Sequence, residues 1–198
     1  MKTLVPIIVC SAGALLLAPT EAHALGPVDV EAGAKVGVGI PLNNEPNTIL
    51  GLGFGLGGRA GVSLSNVYAG VAGVYYFGQT KTTDLGVRDS LHTLMLGIEL
   101  GYDLKLLPLL TLRPQLGLGD HEYYSSTEVN PSGSSSSYFY LEPAIVGLVP
   151  LKNLYVGADA GVRILPEGPA LSPCPDGPGT CHTFHAGLTL HGQVGVRF

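Results

Sequence analysis

Charge is scarce in this sequence, and so is cysteine. Only 13% of the 198 residues are charged, 10 Lys and Arg against 15 Asp and Glu, and the mean hydropathy is +0.34. A typical soluble domain carries about twice that share of charge, so a water-exposed surface is a poor fit. Equally missing from the mature chain is any uninterrupted apolar run of the roughly 18 residues that a spanning helix needs. Glycines and isolated charges recur every few positions, and 29 Gly with 15 Pro disfavour helices in general. These absences leave one architecture. Hydrocarbon offers no partner to a backbone amide, and strands pair all of theirs only by closing into a barrel.

The first 24 residues read as a separate object. Lys2 supplies a positive end, Leu4 to Ala18 an apolar stretch, and Ala22-His23-Ala24 a small-x-small cleavage site. The expectation is a signal peptide over 1–24 and a mature domain over 25–198. Cys10 raises a lipoprotein signal as the alternative, but Val9, not a small residue, precedes it. The mature chain keeps Cys174 and Cys181, within and just after the Pro/Gly-rich stretch Ser172 to Thr180. Export places them in an oxidising compartment, which predicts a disulfide closing a short loop, worth roughly 2–3 kcal/mol. A metal site made by the same cysteines with His182 and His185 is the sharper alternative; the expectation is no metal and no cofactor.

Alternation of period two is clearest over Val28 to Ile40. Val28, Val30, Ala32, Ala34, Val36, Val38 and Ile40 share one parity, while Asp29, Glu31, Gly33, Lys35, Gly37 and Gly39 share the other. About 9 to 11 tilted residues suffice to cross a bilayer, so this segment is long enough. The same pattern recurs over Leu50 to Leu64, His92 to Leu104, Leu110 to Gly119, Tyr138 to Val149, Leu154 to Leu165 and Phe184 to Phe198. Val67 to Phe77 is also a strand, but both its parities are apolar and its facing stays open. The predicted fold is an all-β, eight-stranded, antiparallel up-and-down transmembrane barrel.

Connection lengths test that count independently, because outer-membrane barrels alternate long extracellular loops with short periplasmic turns. The long connections are Pro41 to Ile49, Gly78 to Leu91, Asp120 to Ser137 and Pro166 to Thr183; the short ones lie at Ser65-Asn66, Lys105 to Leu109 and Pro150 to Asn153. Ser132 to Ser137 reads as a polar loop tip. Aromatics near strand ends predict two girdles: Tyr75, Tyr76, Phe77, Tyr123, Tyr138, Phe139 and Phe184 at the outer interface, Tyr68, Tyr102, Tyr155 and Phe198 at the inner one.

The inner parity carries Asp29, Glu31, Glu99, Asp103, Glu142 and Asp159 against Lys35, Arg59, Arg113, Arg163 and Arg197. Eight strands enclose only enough space for side chains, so these charges should pair and plug the lumen. Arg59, Glu99, Arg113, Glu142 and Asp159 are expected near mid-height, and Arg197 near Asp29 or Glu31. A narrow ion or solute path is the functional alternative.

The cleavable leader, the eight alternating strands and the end Leu190-His191-Gly192-Gln193-Val194-Gly195-Val196-Arg197-Phe198 resemble the OmpA/OmpX-type small outer-membrane barrels. That resemblance implies a Gram-negative outer membrane and an assembly signal, Leu190, Val194, Val196 and Phe198, read by the barrel-assembly machinery. Nothing follows Phe198, so the peptidoglycan-binding domain of the OmpA branch is not expected.

Enzymatic readings fare worse. Gly53-Phe54-Gly55-Leu56-Gly57-Gly58 satisfies G-x-G-x-x-G, but no helix follows to hold a phosphate. His121, Glu122 and Ser125 group at the base of the third long loop, and His185 and His191 on the last strand, without a nucleophile, base and orienter in evident register. Acidic residues outnumber basic ones in the long loops, which disfavours nucleic acid and suits cation-bridged contact with lipopolysaccharide. The expected function is a structural or surface-contact barrel, monomeric and not an enzyme, with a narrow solute conduit and a lipid-modifying enzyme as alternatives.

Overall fold

The computed structural model describes residues 28–42, 53–82, 88–107, 109–127, 134–168 and 183–198. The predicted signal segment, Cys174, Cys181, His182 and part of the low-complexity tract lie outside the described residues.

Among the described residues, nine β segments run in order: β1 Val28–Pro41, β2 Phe54–Leu64, β3 Val67–Thr82, β4 Arg88–Tyr102, β5 Leu104–Leu107, β6 Leu110–Thr127, β7 Ser134–Leu151, β8 Leu154–Gly168 and β9 Thr183–Arg197. Each pairs antiparallel with its sequence neighbour, except that β4 and β5 both pair with β6 and are two pieces of one barrel strand. The break has a covalent cause. Pairing stops at Gly101↔Gln115 and resumes at Leu104↔Leu112, so the gap faces Pro114, which has no N–H to donate. The fold is therefore a closed eight-stranded barrel. Closure is made by β1 against β9, from Glu31↔Arg197 to Pro41↔Gly187. Val30 and Phe198 exchange backbone hydrogen bonds of 2.9 and 3.0 Å at the end of that seam.

Two hairpins end in tight turns, Ser65-Asn66 and Lys152-Asn153, where Ser65 and Lys152 each take φ 59°. Two-residue loops need such left-handed residues to match strand twist. At the opposite end the strands outrun the expected loops. β3 continues to Thr82, β6 to Thr127, and β7 begins at Ser134. Register shifts interrupt this extension between Leu165 and Gly168 of β8 and between Tyr76 and Gln79 of β3. Gly78 sits there at φ 39°, where any Cβ would run into the Leu91 carbonyl, so no side chain fits.

The polarity of the barrel is inverted relative to a soluble domain. Arg113 and Arg163 are buried, whereas Val71 and Ile145 are 57% and 60% exposed. Facing of β3 is now settled, with Tyr68, Val74 and Tyr76 inward and Val67, Val71 and Phe77 outward. The predicted girdles need correction on the same ground. Tyr68, Tyr76, Tyr123 and Tyr155 are buried in the lumen, and Tyr138 packs with that interior cluster. Phe77, Phe139 and Phe184 remain outward at the loop end, with Tyr102 and Phe198 at the turn end. A tyrosine can serve either face, because its hydroxyl finds charged partners inside as readily as headgroups outside.

Candidate functional site

Among the described residues, the lumen is where the fold gathers chemistry, and it is built in layers. At the turn end, Arg113 from β6 donates from Nε to Asp103 Oδ1 at 2.5 Å and from Nη2 to Glu31 Oε1 at 2.7 Å, with further bonds of 3.0 Å to each acid. Arg197 reaches the same two acids, Glu31 at 2.8 Å and Asp103 at 3.0 Å, and lies 3.5 Å from Asp29. Asp103 occupies the break between β4 and β5, and its own N–H donates to the Asn66 carbonyl. This places Arg113 below mid-height, at the level of the Ser65-Asn66 turn, rather than with the central charges as the sequence suggested.

The middle layer is organised around Arg59 and Lys35. Arg59 donates to the Tyr68 hydroxyl, Gln193 and Gln115 at 3.2, 3.2 and 3.3 Å and lies 3.4 Å from Glu99. Lys35 Nζ bridges Asp159 at 3.2 Å and Glu99 at 3.5 Å. The Tyr68 ring separates the two layers, with the Arg113 guanidinium 3.9 Å from its centroid and that of Arg59 4.5 Å away. Cations over a buried ring face are stabilised by the ring quadrupole, by about 0.5–2 kcal/mol each. Two arginines are thus held near one another without direct repulsive contact.

Above lies an aromatic plug of Val74, Tyr76, Met95, Tyr123, Tyr140 and Leu165. Here His121 belongs to β6 and points inward, stacked on Tyr123 at 4.3 Å; it is not at a loop base. Glu122 occupies the opposite parity. Arg163 donates to the Met95 sulfur, and its guanidinium lies 5.6 Å from the centre of the Tyr76 ring. Glu142 accepts from Thr189 Oγ1 at 3.1 Å.

One arrangement escaped the sequence reading. Asp159 Oδ1 meets His191 Nδ1 at 2.7 Å, and His191 Nε2 meets the Tyr76 hydroxyl at 2.8 Å. An acid, a histidine and a hydroxyl in series is the geometry of an activated nucleophile. The signal for it was the shared inward parity of the three, hidden while the facing of β3 was open. Access decides what it can do. All three are buried, and the cavity beside them, bounded also by Lys35, Glu99 and Glu142, measures about 20 Å³. That is room for about one water molecule and for no substrate.

Glycines create the space that the large side chains fill. Tyr68 lies over Gly61 and Gly70, Tyr155 over Gly33 and Gly195, and Tyr76 over Gly55. An added Cβ at Gly55 would fall 2.7 Å from the Tyr76 ring. The G-x-G-x-x-G stretch is explained by this packing, since Gly55 and Gly57 face inward on β2.

A filled, charge-paired lumen inside a lipid-facing wall is found in small barrels of bacterial outer membranes. No family model and no curated protein matches the chain. Solved structures do. Neisserial surface protein A superposes with a TM-score of 0.56 at 16% identity, covering 87% of this chain and 97% of its own. A major outer membrane protein from Thermus thermophilus gives 0.61 at 15% identity, covering 89% and 100%. The chain has the fold of the small outer-membrane barrels. At these identities the likeness is one of architecture, and barrels of this architecture lie in their membrane with short turns toward the periplasm and long connections outside. In this chain the layer of Arg113 and Arg197 lies at the end of the tight turns, and the aromatic plug lies toward the opposite end.

Proposed function

We propose that the protein is a Gram-negative outer-membrane barrel whose sealed lumen makes it a rigid support for extracellular loops, through which it contacts the cell's surroundings. The observation that carries this reading is the lumen itself. Among the described residues, paired charges and buried tyrosines fill the lumen, and the cavity between Lys35, Glu99, Glu142 and His191 measures about 20 Å³. The Asp159–His191–Tyr76 series is sealed off from any substrate, which supports a non-enzymatic role. Acidic residues such as Asp84, Asp120, Glu122, Glu128 and Glu167 in or beside the long connections suit cation-bridged contact with lipopolysaccharide. Barrel-assembly machinery is the partner during biogenesis, and the working form is a monomer.

Planar-bilayer recording tests the sealed lumen. The purified protein should insert without stepwise conductance at moderate voltages. Sustained single-channel openings that disappear on narrowing the lumen, as in Ala72→Leu beside the cavity, would replace this reading with a passive conduit.

A further inference from the structure

The wall carries a depression on its outer face, between β6, β7 and β8, with a volume of about 450 Å³. Two prolines border it. Pro114 on β6 and Pro143 on β7 face outward on neighbouring strands, in register with Ile145 and Leu116 respectively. Each removes a backbone donor. The β7–β8 ladder skips from Leu141↔Ile164 to Ala144↔Gly161, so pairing is lost at Glu142 and Pro143. Beyond the gap, β8 presents Ala160 and Gly161, whose small size leaves the floor low, and Val162 and Leu188 complete the rim.

The position along the strands is informative. Pro143 lies four residues from the outward Phe139, about 13 Å at strand rise, and eight from Leu151 at the periplasmic turn. Outward residues on both sides are apolar, so the groove opens into hydrocarbon and not into headgroups. Water is excluded there, and an empty groove would forfeit dispersion contacts along its whole lining.

We propose that this groove is a binding site for one hydrocarbon chain of a bilayer lipid, held more persistently than chains elsewhere on the wall. The inference rests on the outer-membrane reading. Its lining is almost wholly apolar, and the polar groups behind the broken rung stay on the lumen side, where Glu142 is engaged by Thr189. The chain is therefore recognised by shape alone, so headgroup identity should matter little.

Photolabelling in nanodiscs decides the matter. The full barrel is reconstituted with phosphatidylethanolamine bearing a mid-chain diazirine, irradiated, and the labelled residues are mapped by mass spectrometry. Labelling at Pro143 to Ile145 and Val162 should exceed that at Val71, an exposed wall position on β3, by about fivefold or more. Ala160→Phe, which fills the groove from an outward position, should reduce the excess to near unity. Ala160→Leu serves as the milder filling should the phenylalanine variant misassemble. Equal labelling of all wall positions, or an excess indifferent to filling, overturns the site while leaving the membrane reading intact. Absence of label even at Val71 would instead sink the membrane reading. Label at Val71 with none at the groove would mean that something other than a lipid chain covers it and would also refute the proposal.

Discussion

Arg113 bonds to Glu31 and Asp103 at once, and its removal leaves two buried carboxylates to share Arg197. Breaking one side of a buried network costs about 3–5 kcal/mol. Arg113→Met should therefore lower stability by that order in urea unfolding from lipid vesicles. Arg113→Lys should recover only part of it, since an ammonium cannot present a planar fork to two acids. A loss below about 1 kcal/mol would mean that the layer is decorative. Gly55 gives a second case, because only side chains crowd its α-carbon: the Tyr76 ring at 2.7 Å and Val74 at 3.1 Å from an added Cβ. Gly55→Val should cost roughly 1–3 kcal/mol through overpacking, and much less in a Tyr76→Ala background. Additive losses in that double-mutant cycle would deny the proposed contact. Which residues face inward was readable from alternation wherever charge marked one parity, as with Lys35, Arg59 and Glu99. On β3 no charge does so in the stretch Val67 to Phe77. Both faces are apolar, and only its neighbours' glycines reveal where Tyr68 and Tyr76 point.

Strand centres were legible for a physical reason that also explains why strand ends were not. Between the interfaces, lipid enforces an apolar outward parity, and the sequence must alternate. Beyond them, backbone pairing alone holds the ladder, and any polar residue will serve. Ser134 to Ser137 accordingly read as loop yet pair with Glu122 to Ser125 in β6 and β7. Pro143 poses the converse problem, a strand residue that cannot complete its own rung. Replacing it by valine restores a donor, so Pro143→Val should stabilise the barrel by about 0.5–1.5 kcal/mol. Amide exchange at Ala144 and Val162 should slow as well. Unchanged exchange would show that the skipped rung has another cause than the missing N–H, such as the packing of Glu142 behind it.

At the scale of the whole molecule, a barrel is stable in lipid only if its last strand finds its first. Here Val30 and Phe198 exchange both backbone bonds, and Arg197 stands opposite Glu31 in the same register. Charge thus reinforces the seam just inside the point where backbone pairing ends. Two separate reasons to keep Phe198 converge on one position. Its backbone removes an open edge that hydrocarbon cannot satisfy, and we propose that its ring completes the pattern read during assembly. The two can be separated. Deleting Phe198 abolishes both, whereas Phe198→Ala retains the backbone pair and loses only the ring. The deletion should reduce the fraction of chain inserted in the outer membrane and raise its periplasmic degradation, as followed by fractionation and pulse-chase. If the alanine variant fails to the same degree, the ring is what the machinery reads; if it assembles normally, closure of the seam is the whole requirement. A deletion variant that inserts at the normal rate and level removes both reasons together, and with them the idea that the end of β9 commits the chain to its membrane.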